Sequence, residues 1–333
     1  MKNRQITVAE LPTGALGAKN FAMKETAMPV AGDGDVVVRN ILMSIDAANR
    51  SWMQGATYRD AVKAGDVMPT YAVAEIVASN SPRFAVGDLV EGESVWADYA
   101  ARPARYLRKV PAVTPLTNLI SVYGIAGKTA FHGLVGVGRP IAGETVLVSA
   151  AAGSVGGYVG QIAKALGCRV VGIAGGPEKC AHVVQDLGFD ACVDYRDPKM
   201  FKALRAACPN GVDVYFDNVG GAVLETALFV MNERGRVVCC GAISQYDTTA
   251  PSGPRNLPGL VVVKRLRMEG FIVMDFAHDD AKALRALQSW VASGHIKVQE
   301  HVYDGLENAP AALIGLLAGE NRGKCMVRVG PDP

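Results

Sequence analysis

The first 131 residues contain neither cysteine nor histidine. A zinc site built there would have carboxylates alone, a poor match to zinc's preference for nitrogen and sulfur. The seven cysteines (Cys168, Cys180, Cys192, Cys208, Cys239, Cys240 and Cys325) include no C-x-x-C pair and are odd in number. Reduced thiols, mostly buried as small hydrophobes, are therefore expected, and no metal is. An excess of one charge is also missing. The net charge of +2 leaves no basic field for nucleic acid or acidic lipid. No apolar run approaches the ~20 residues needed to span a bilayer. The opening "MKNRQITVAELPTG" has neither a signal-peptide core nor a cleavage site, so a cytoplasmic location is expected.

At 333 residues, half of them hydrophobic and a fifth charged, the chain has ample size for a buried core in one large domain or two ordinary ones. The first third reads as β-rich. "ITVAEL", "DVVVRNILMSI", "AVAEIVAS" and "DLVEGESVWADYAA" are apolar or alternating runs separated by Gly, Pro and Asp. From about residue 122 strands and helices alternate. Strands are expected at "TVLVSA", "RVVGIAG", "ACVDY", "VDVYFDNV", "RVVCCGA" and "RMEGFIV". Helices are expected at Val155–Leu166, Glu178–Leu187, Pro198–Ala207, Ala222–Asn232 and Asp280–Ser293, with Pro177 at one start and Gly188 and Gly294 past two ends. This alternation implies an α/β fold with a doubly wound parallel six-stranded sheet, because parallel pairs need crossovers. After Gly294 the pattern reads as short strands, ending in "KCMVRV", a tail that folds back onto the first domain.

The stretch "LVSAAAGSVGGYVGQIAKALG" runs from a strand through a glycine turn into a helix. It lacks the first glycine of G-x-G-x-x-G: aligned on that signature it reads Ala151, Gly153, Gly156. Ala151 costs some turn freedom. Gly153 lets the backbone approach a pyrophosphate, Gly156 lets helix pack on strand, and the helix N-terminus supplies N–H groups. The next strand ends in Ala174, Gly175 and Gly176, without the Asp or Glu that an NAD ribose wants. Lys179 follows, and the strand after it ends at Asp194, Tyr195 and Arg196. A 2′-phosphate is welcomed by Lys179 and by hydroxyl or guanidinium donors, so NADPH is favoured. The competing reading makes Glu178 and Lys179 solvated first-turn residues, with Glu178 able to mimic the missing acid.

These residues resemble the zinc-free medium-chain dehydrogenases/reductases, specifically the leukotriene hydroxydehydrogenase/prostaglandin reductase group, which includes plant 2-alkenal double-bond reductases and bacterial curcumin reductases. The likeness runs end to end through "SIDAANRSWM", "GIAGKTAFHGL", "AAAGSVGGYVGQIAKALGCRVVGIAGGPEKC", "DVYFDNVGG", "CCGAISQYD", "RMEGFIVMDF" and "GENRGKCMV". It implies a GroES-like β-rich domain for substrate, residues 1–122 completed by 297–333, and a Rossmann domain for NADPH, residues 123–296. It also implies reduction of the carbon–carbon double bond of α,β-unsaturated carbonyls, commonly by homodimers paired through the Rossmann sheet. Carried over by motif, Gly153, Ser154, Val155 and Gly156 hold the pyrophosphate, and Lys179 and Tyr195 the 2′-phosphate. Asn218, Gly241, Ala242, Ile243, Ser244, Phe271, Ile272 and Val273 line the ribose and nicotinamide. Thr129 and Asn321 touch the cofactor from flanking segments, and Tyr246 stands beside the substrate oxygen.

Chemistry supports Tyr246 separately. Hydride addition at the β-carbon builds an enolate, and a hydroxyl aimed at its oxygen stabilises the transition state most. His132 reads as packing, the other histidines as scattered, Cys239–Cys240 as inert core thiols, and Asp279–Asp280 as charge at a helix start. The family's Ser-x-Asp-Pro-Tyr-Met-Arg is here Ser44-Ile45-Asp46-Ala47-Ala48-Asn49-Arg50. Ala48 leaves room for a bulkier substrate, or Trp52 or Tyr58 refills it. Lys128 stands where relatives carry an aliphatic residue. Two other readings stay open: an NADPH:quinone oxidoreductase, and a weakly catalytic NADPH-binding redox sensor.

Overall fold

The structure is a computed structural model describing residues 2–248, 250 and 252–332. Two compact units form: Met1–Ile120 with Glu300–Asn321 and Cys325–Pro333, and Ser121–Gln299 with Arg322–Lys324.

The β-rich unit is organised around Asp35–Ser44, whose run "VVV…ILM" is buried along its length. One edge of this strand pairs antiparallel with Pro69–Ser79; the other is shared by Tyr99–Pro103 and Lys324–Arg328. Leu89–Val95, Leu107–Lys109 and Glu300–Asp304 complete a seven-stranded sheet, and Lys2–Val8 pairs separately with Phe21–Ala27. The tail is more helical than its sequence suggests. Ala309–Leu317 is an α-helix, whereas short strands were expected after Gly294. Its run "APAALIGLL" has no polar face to reveal a helical period, because Ala309, Ala312 and Leu313 are fully buried against Met43, Trp52 and Trp96.

In the other unit the strands β1 (Thr145–Ser149), β2 (Arg169–Ala174), β3 (Ala191–Asp194), β4 (Val212–Asp217), β5 (Met231–Cys239) and β6 (Arg267–Gly270) form one parallel sheet. Their order, 3-2-1-4-5-6, is that of the doubly wound dinucleotide-binding fold. All five residues of β1 are buried, as expected of a central parallel strand covered on both faces. The helices are α1 (Ile125–Phe131), α2 (Ser154–Ala165), α3 (Pro177–Gln185), α4 (Met200–Ala207), α5 (Gly221–Val230), α6 (Leu257–Lys264) and α7 (Asp280–Ala292). Pro177 starts α3, and Gly294, at φ +76°, follows α7 in the left-handed turn that ends helices. The largest boundary difference from expectation is between α5 and β5: α5 stops at Val230 and β5 begins at Met231, before the expected "RVVCCGA", so "MN" belongs to the strand. Helix α6 was not foreseen, since "LPGLVVVK" is apolar all round.

Candidate cofactor and active site

The site residues lie where the parallel strands end. After β1 the chain turns at Ala150, which takes a left-handed φ of +51°. This conformation costs a non-glycine residue roughly 1–2 kcal/mol. The turn's conformational demand therefore falls on Ala150 and not on Ala151, the residue aligned with the missing glycine. Ala151 is fully buried, its N–H bonded to Ile173 O at 3.0 Å. Gly153 is the N-cap of α2, and its N–H donates to Ala150 O at 2.9 Å. A Cβ at Gly156 would lie 2.3 Å from that same carbonyl oxygen, so only glycine lets α2 approach the turn this closely. The first-turn N–H groups of α2 have no intrahelical acceptor, and the Ser154 Oγ is buried without a hydrogen-bond partner. These donors suit a pyrophosphate.

A basic corner forms beyond β2. Gly176 N and Arg196 N both donate to Asp194 Oδ1 at 2.9 Å, which binds the ends of β2 and β3 together. Burial works against the Asp194 carboxylate, but these two amides and the Arg196 charge hold its pKa below the ordinary value. The Tyr195 ring crosses Gly175, where a Cβ would come within 2.8 Å of it. Arg196 sits 5.8 Å from the centre of that ring. Lys179, in the first turn of α3, has its pKa lowered by burial first and then by the charges of Arg196 and Arg322. Arg322 also pairs with Glu178 at 3.2 Å. Lys179, Arg196, Arg322 and Tyr195 thus lie near the end of β2, together with Glu178 and Asp194, where an NAD-binding fold would present an acid.

The middle of the edge is fixed by Asp217, buried at the end of β4. Its Oδ1 accepts from Tyr215 Oη at 2.7 Å, Ser149 Oγ at 3.2 Å, and the amides of Val219 and Gly220 at 3.0 Å. Asn218 is locked to β1, its N donating to Ser149 Oγ at 2.9 Å and its Nδ2 to Ser149 O at 2.8 Å. After β5, Cys240 N and Gly241 N donate to Asp217 O, and Ile243 N and Ser244 N to Asn218 O and Val219 O. The Ser244 hydroxyl donates to Val219 O at 2.6 Å, which builds the loop. Tyr246 closes it. Its hydroxyl accepts the Ala242 N–H at 3.1 Å and would stand 3.4 Å from a Cβ on Gly241. Burial raises the Tyr246 pKa above the ordinary phenol value against the opposing Ala242 bond, with Cys240 and Asp217 adding to it. The residue therefore stays a neutral donor.

Other expected residues sit differently. The Phe271 ring turns into the core, 6.3 Å from the ring of Phe216 and 6.1 Å from that of Phe276, in space left by Gly133. Ile272 and Val273 follow at the sheet edge, where Ile272 O accepts from Asp275 N. Thr129 Oγ1 donates to Ile125 O at 2.6 Å within α1. Asn321 is buried and falls in the β-rich unit. In that unit Ala48 packs against the core, while Trp52 Nε1 donates to Tyr58 Oη at 3.3 Å and Arg59 lies 4.6 Å over Trp52.

Sequence reasoning passed over Arg322 and a buried cluster. Lys128 Nζ lies 3.2 Å from Asp280 Oδ2, and His132 Nε2 lies 3.4 Å from Asp280 Oδ1. Asp280 does begin α7, but it faces a buried cation as well as the helix dipole. His132 stacks on Phe276 at 5.1 Å, in keeping with a packing role. A lysine inside the apolar stretch "GIAGKTAF" was the available signal. Burial pushes the Cys239 and Cys240 thiols up to about 11 and about 12, and all seven cysteines are free. Among the described residues no three His, Cys, Asp or Glu side chains converge on one point, and no helix is long and apolar enough to cross a membrane.

Two family models match, "N-terminal domain of oxidoreductase" over residues 4–110 and "Zinc-binding dehydrogenase" over residues 154–289. The NADPH-dependent curcumin reductase of Escherichia coli is 41% identical, over 99% of this chain and 98% of that protein. The NADP(+)-dependent 2-alkenal reductase of Nicotiana tabacum is 38% identical, over 100% of this chain and 99% of its own length. Among solved structures, CurA from Vibrio vulnificus in complex with NADPH superposes with a TM-score of 0.93 at 38% identity, covering 99% of this chain and 100% of that one. A likeness of this depth across both units, together with the strand order and the basic corner, places the chain in the medium-chain dehydrogenase/reductase family, in the group of the curcumin and 2-alkenal reductases.

Proposed function

We propose that the protein reduces the carbon–carbon double bond of α,β-unsaturated ketones or aldehydes with NADPH. The residues present fit that cofactor. Gly153, Ser154, Val155 and Gly156 offer the pyrophosphate a helix N-terminus, Lys179 and Tyr195 offer the 2′-phosphate a basic corner, and Asn218 and Gly241–Ser244 form the wall between them. Phe271 packs behind the end of the sheet against Phe216 and Phe276, with Ile272 and Val273 following it. Thr129 and Asn321 are flanking contacts in this reading. When bound, the reduced nicotinamide supplies the hydride.

The observation that carries the reading is the Tyr246 hydroxyl. It accepts the Ala242 N–H, which leaves its own proton to donate to a carbonyl oxygen, and its raised pKa keeps that proton in place. A donor fixed before reaction stabilises charge that develops on that oxygen without reorganising. Tyr246→Phe should lower kcat on an enone by roughly a hundredfold to a thousandfold, in the range set by single oxyanion donors, and leave NADPH affinity nearly unchanged. Unchanged turnover would remove Tyr246 from the mechanism. A panel of enals, aryl enones, quinones and secondary alcohols, read as loss of reduced-nicotinamide absorbance, tests the reaction class. Oxidation by quinones alone, or by no acceptor at all, would reject the enone reading.

The Ser121–Gln299 unit with Arg322–Lys324 is in this view the cofactor domain, and the β-rich unit shapes substrate choice. A homodimer is supported by the free edge of β6 beside α6, where Val262 and Val263 are 73% and 69% exposed.

A further inference from the structure

We infer that Arg322 is a third cationic ligand of the 2′-phosphate and sets the preference for NADPH over NADH. The inference rests on the NADPH reading above and adds a residue from a distant part of the chain. Arg322 belongs to a three-residue strap, Arg322–Lys324, that is part of the nucleotide-binding unit. The strap is anchored immediately after Arg322. Gly323 N donates to Ala152 O at 2.9 Å, Gly323 forms a parallel bridge with Gly153, and Lys324 N donates to Gln299 O at 2.8 Å. Gly323 has φ +67°, and a Cβ there would lie 2.1 Å from Gln299 O. Only glycine fits this close crossing of the pyrophosphate turn, and the anchor places Arg322 beside α3, 3.2 Å from Glu178.

From that anchor the guanidinium reaches Glu178, 3.2 Å away and adjacent in sequence to Lys179. The pair is wet, with side chains 48% and 86% exposed, so it is weak and readily exchanged. A phosphate dianion is a stronger acceptor for a guanidinium than a solvated monoanionic carboxylate is. The charges of Arg196 and Arg322 both reach Lys179, and an anion placed among the three would relieve their mutual repulsion.

The test is calorimetric titration of the whole protein with adenosine 2′,5′-bisphosphate and with 5′-AMP, which differ only in the 2′-phosphate. Arg322→Leu should weaken the bisphosphate roughly three- to tenfold and leave 5′-AMP within about twofold, while Arg322→Lys should retain most of the affinity. Equal affinity of wild type and Arg322→Leu for the bisphosphate would overturn the assignment. So would an equal loss for both ligands, which would mean that the substitution acts through the Gly323 anchor. Wild-type protein that does not prefer the bisphosphate over 5′-AMP would instead bring down the NADPH reading itself.

Discussion

The two ends of the proposed cofactor site are built by opposite means. The pyrophosphate turn is backbone and small residues from one continuous stretch, Ser149 to Gly160, held by contacts as close as the one between Gly156 and the Ala150 carbonyl. The proposed 2′-phosphate corner consists of long side chains from three separate stretches, around Lys179, Arg196 and Arg322, with Lys179 half-buried and Arg322 half-exposed. A turn of the first kind binds any dinucleotide and tolerates little change. A corner of the second kind chooses between dinucleotides and can be altered residue by residue.

The largest effect should come from breaking the turn. Gly156→Ala places a methyl group against a backbone oxygen that has nowhere to go. It should cost roughly 2–3 kcal/mol, read as a lower denaturant midpoint, and weaken NADPH and NADH alike. A variant of wild-type stability would mean that α2 can slide away from the turn. Next is reversal of charge in the corner. Lys179→Glu should raise KM for NADPH by roughly one to two orders of magnitude, spare KM for NADH, and leave the midpoint unchanged. A parallel rise for both cofactors would erase the distinction between the two ends.

The smallest effect is one of pH. Burial and the two arginines lower the Lys179 pKa from the ordinary lysine value of 10.5, so its proton leaves earlier than that of an ordinary lysine as pH rises. Selectivity for NADPH over NADH should therefore fall as pH rises through the window below 10.5. In the cofactor-free protein the sign is opposite for stability. The unfolded chain binds more protons at this residue in that window, so its contribution becomes less unfavourable as pH rises. Measuring both cofactors' affinities from neutral to alkaline pH, with Lys179→Arg as control, checks the slope. A flat wild-type ratio would show that Lys179 does not face the phosphate.

The difference between the ends also explains what could be read in advance. The six parallel strands, the glycine turn and the Asn218 and Tyr246 segments are local patterns, legible because neighbours in sequence remain neighbours in space. Even there, the strained residue proved to be Ala150, since alignment to a signature does not report φ. Arg322 carries no local mark; its position becomes visible only when Gly323 is seen against Ala152 and Gly153. Lys128 and Asp280 lie far apart in sequence, so neither shows that it neutralises the other. Helices α6 and Ala309–Leu317 were missed for another reason: an apolar run without a polar face has no period to detect.

The strap carries a consequence for the order in which the protein is made. Arg322–Lys324 come later in the chain than every strand of the parallel sheet, yet they belong to the unit whose sheet is complete by Gly270. During vectorial synthesis the doubly wound sheet can assemble before Gly323 emerges to anchor the pyrophosphate turn. Cofactor capture then follows completion of the sheet instead of accompanying it. For the same reason, an excised fragment ending at Gln299 would keep the sheet and lose a discriminating charge.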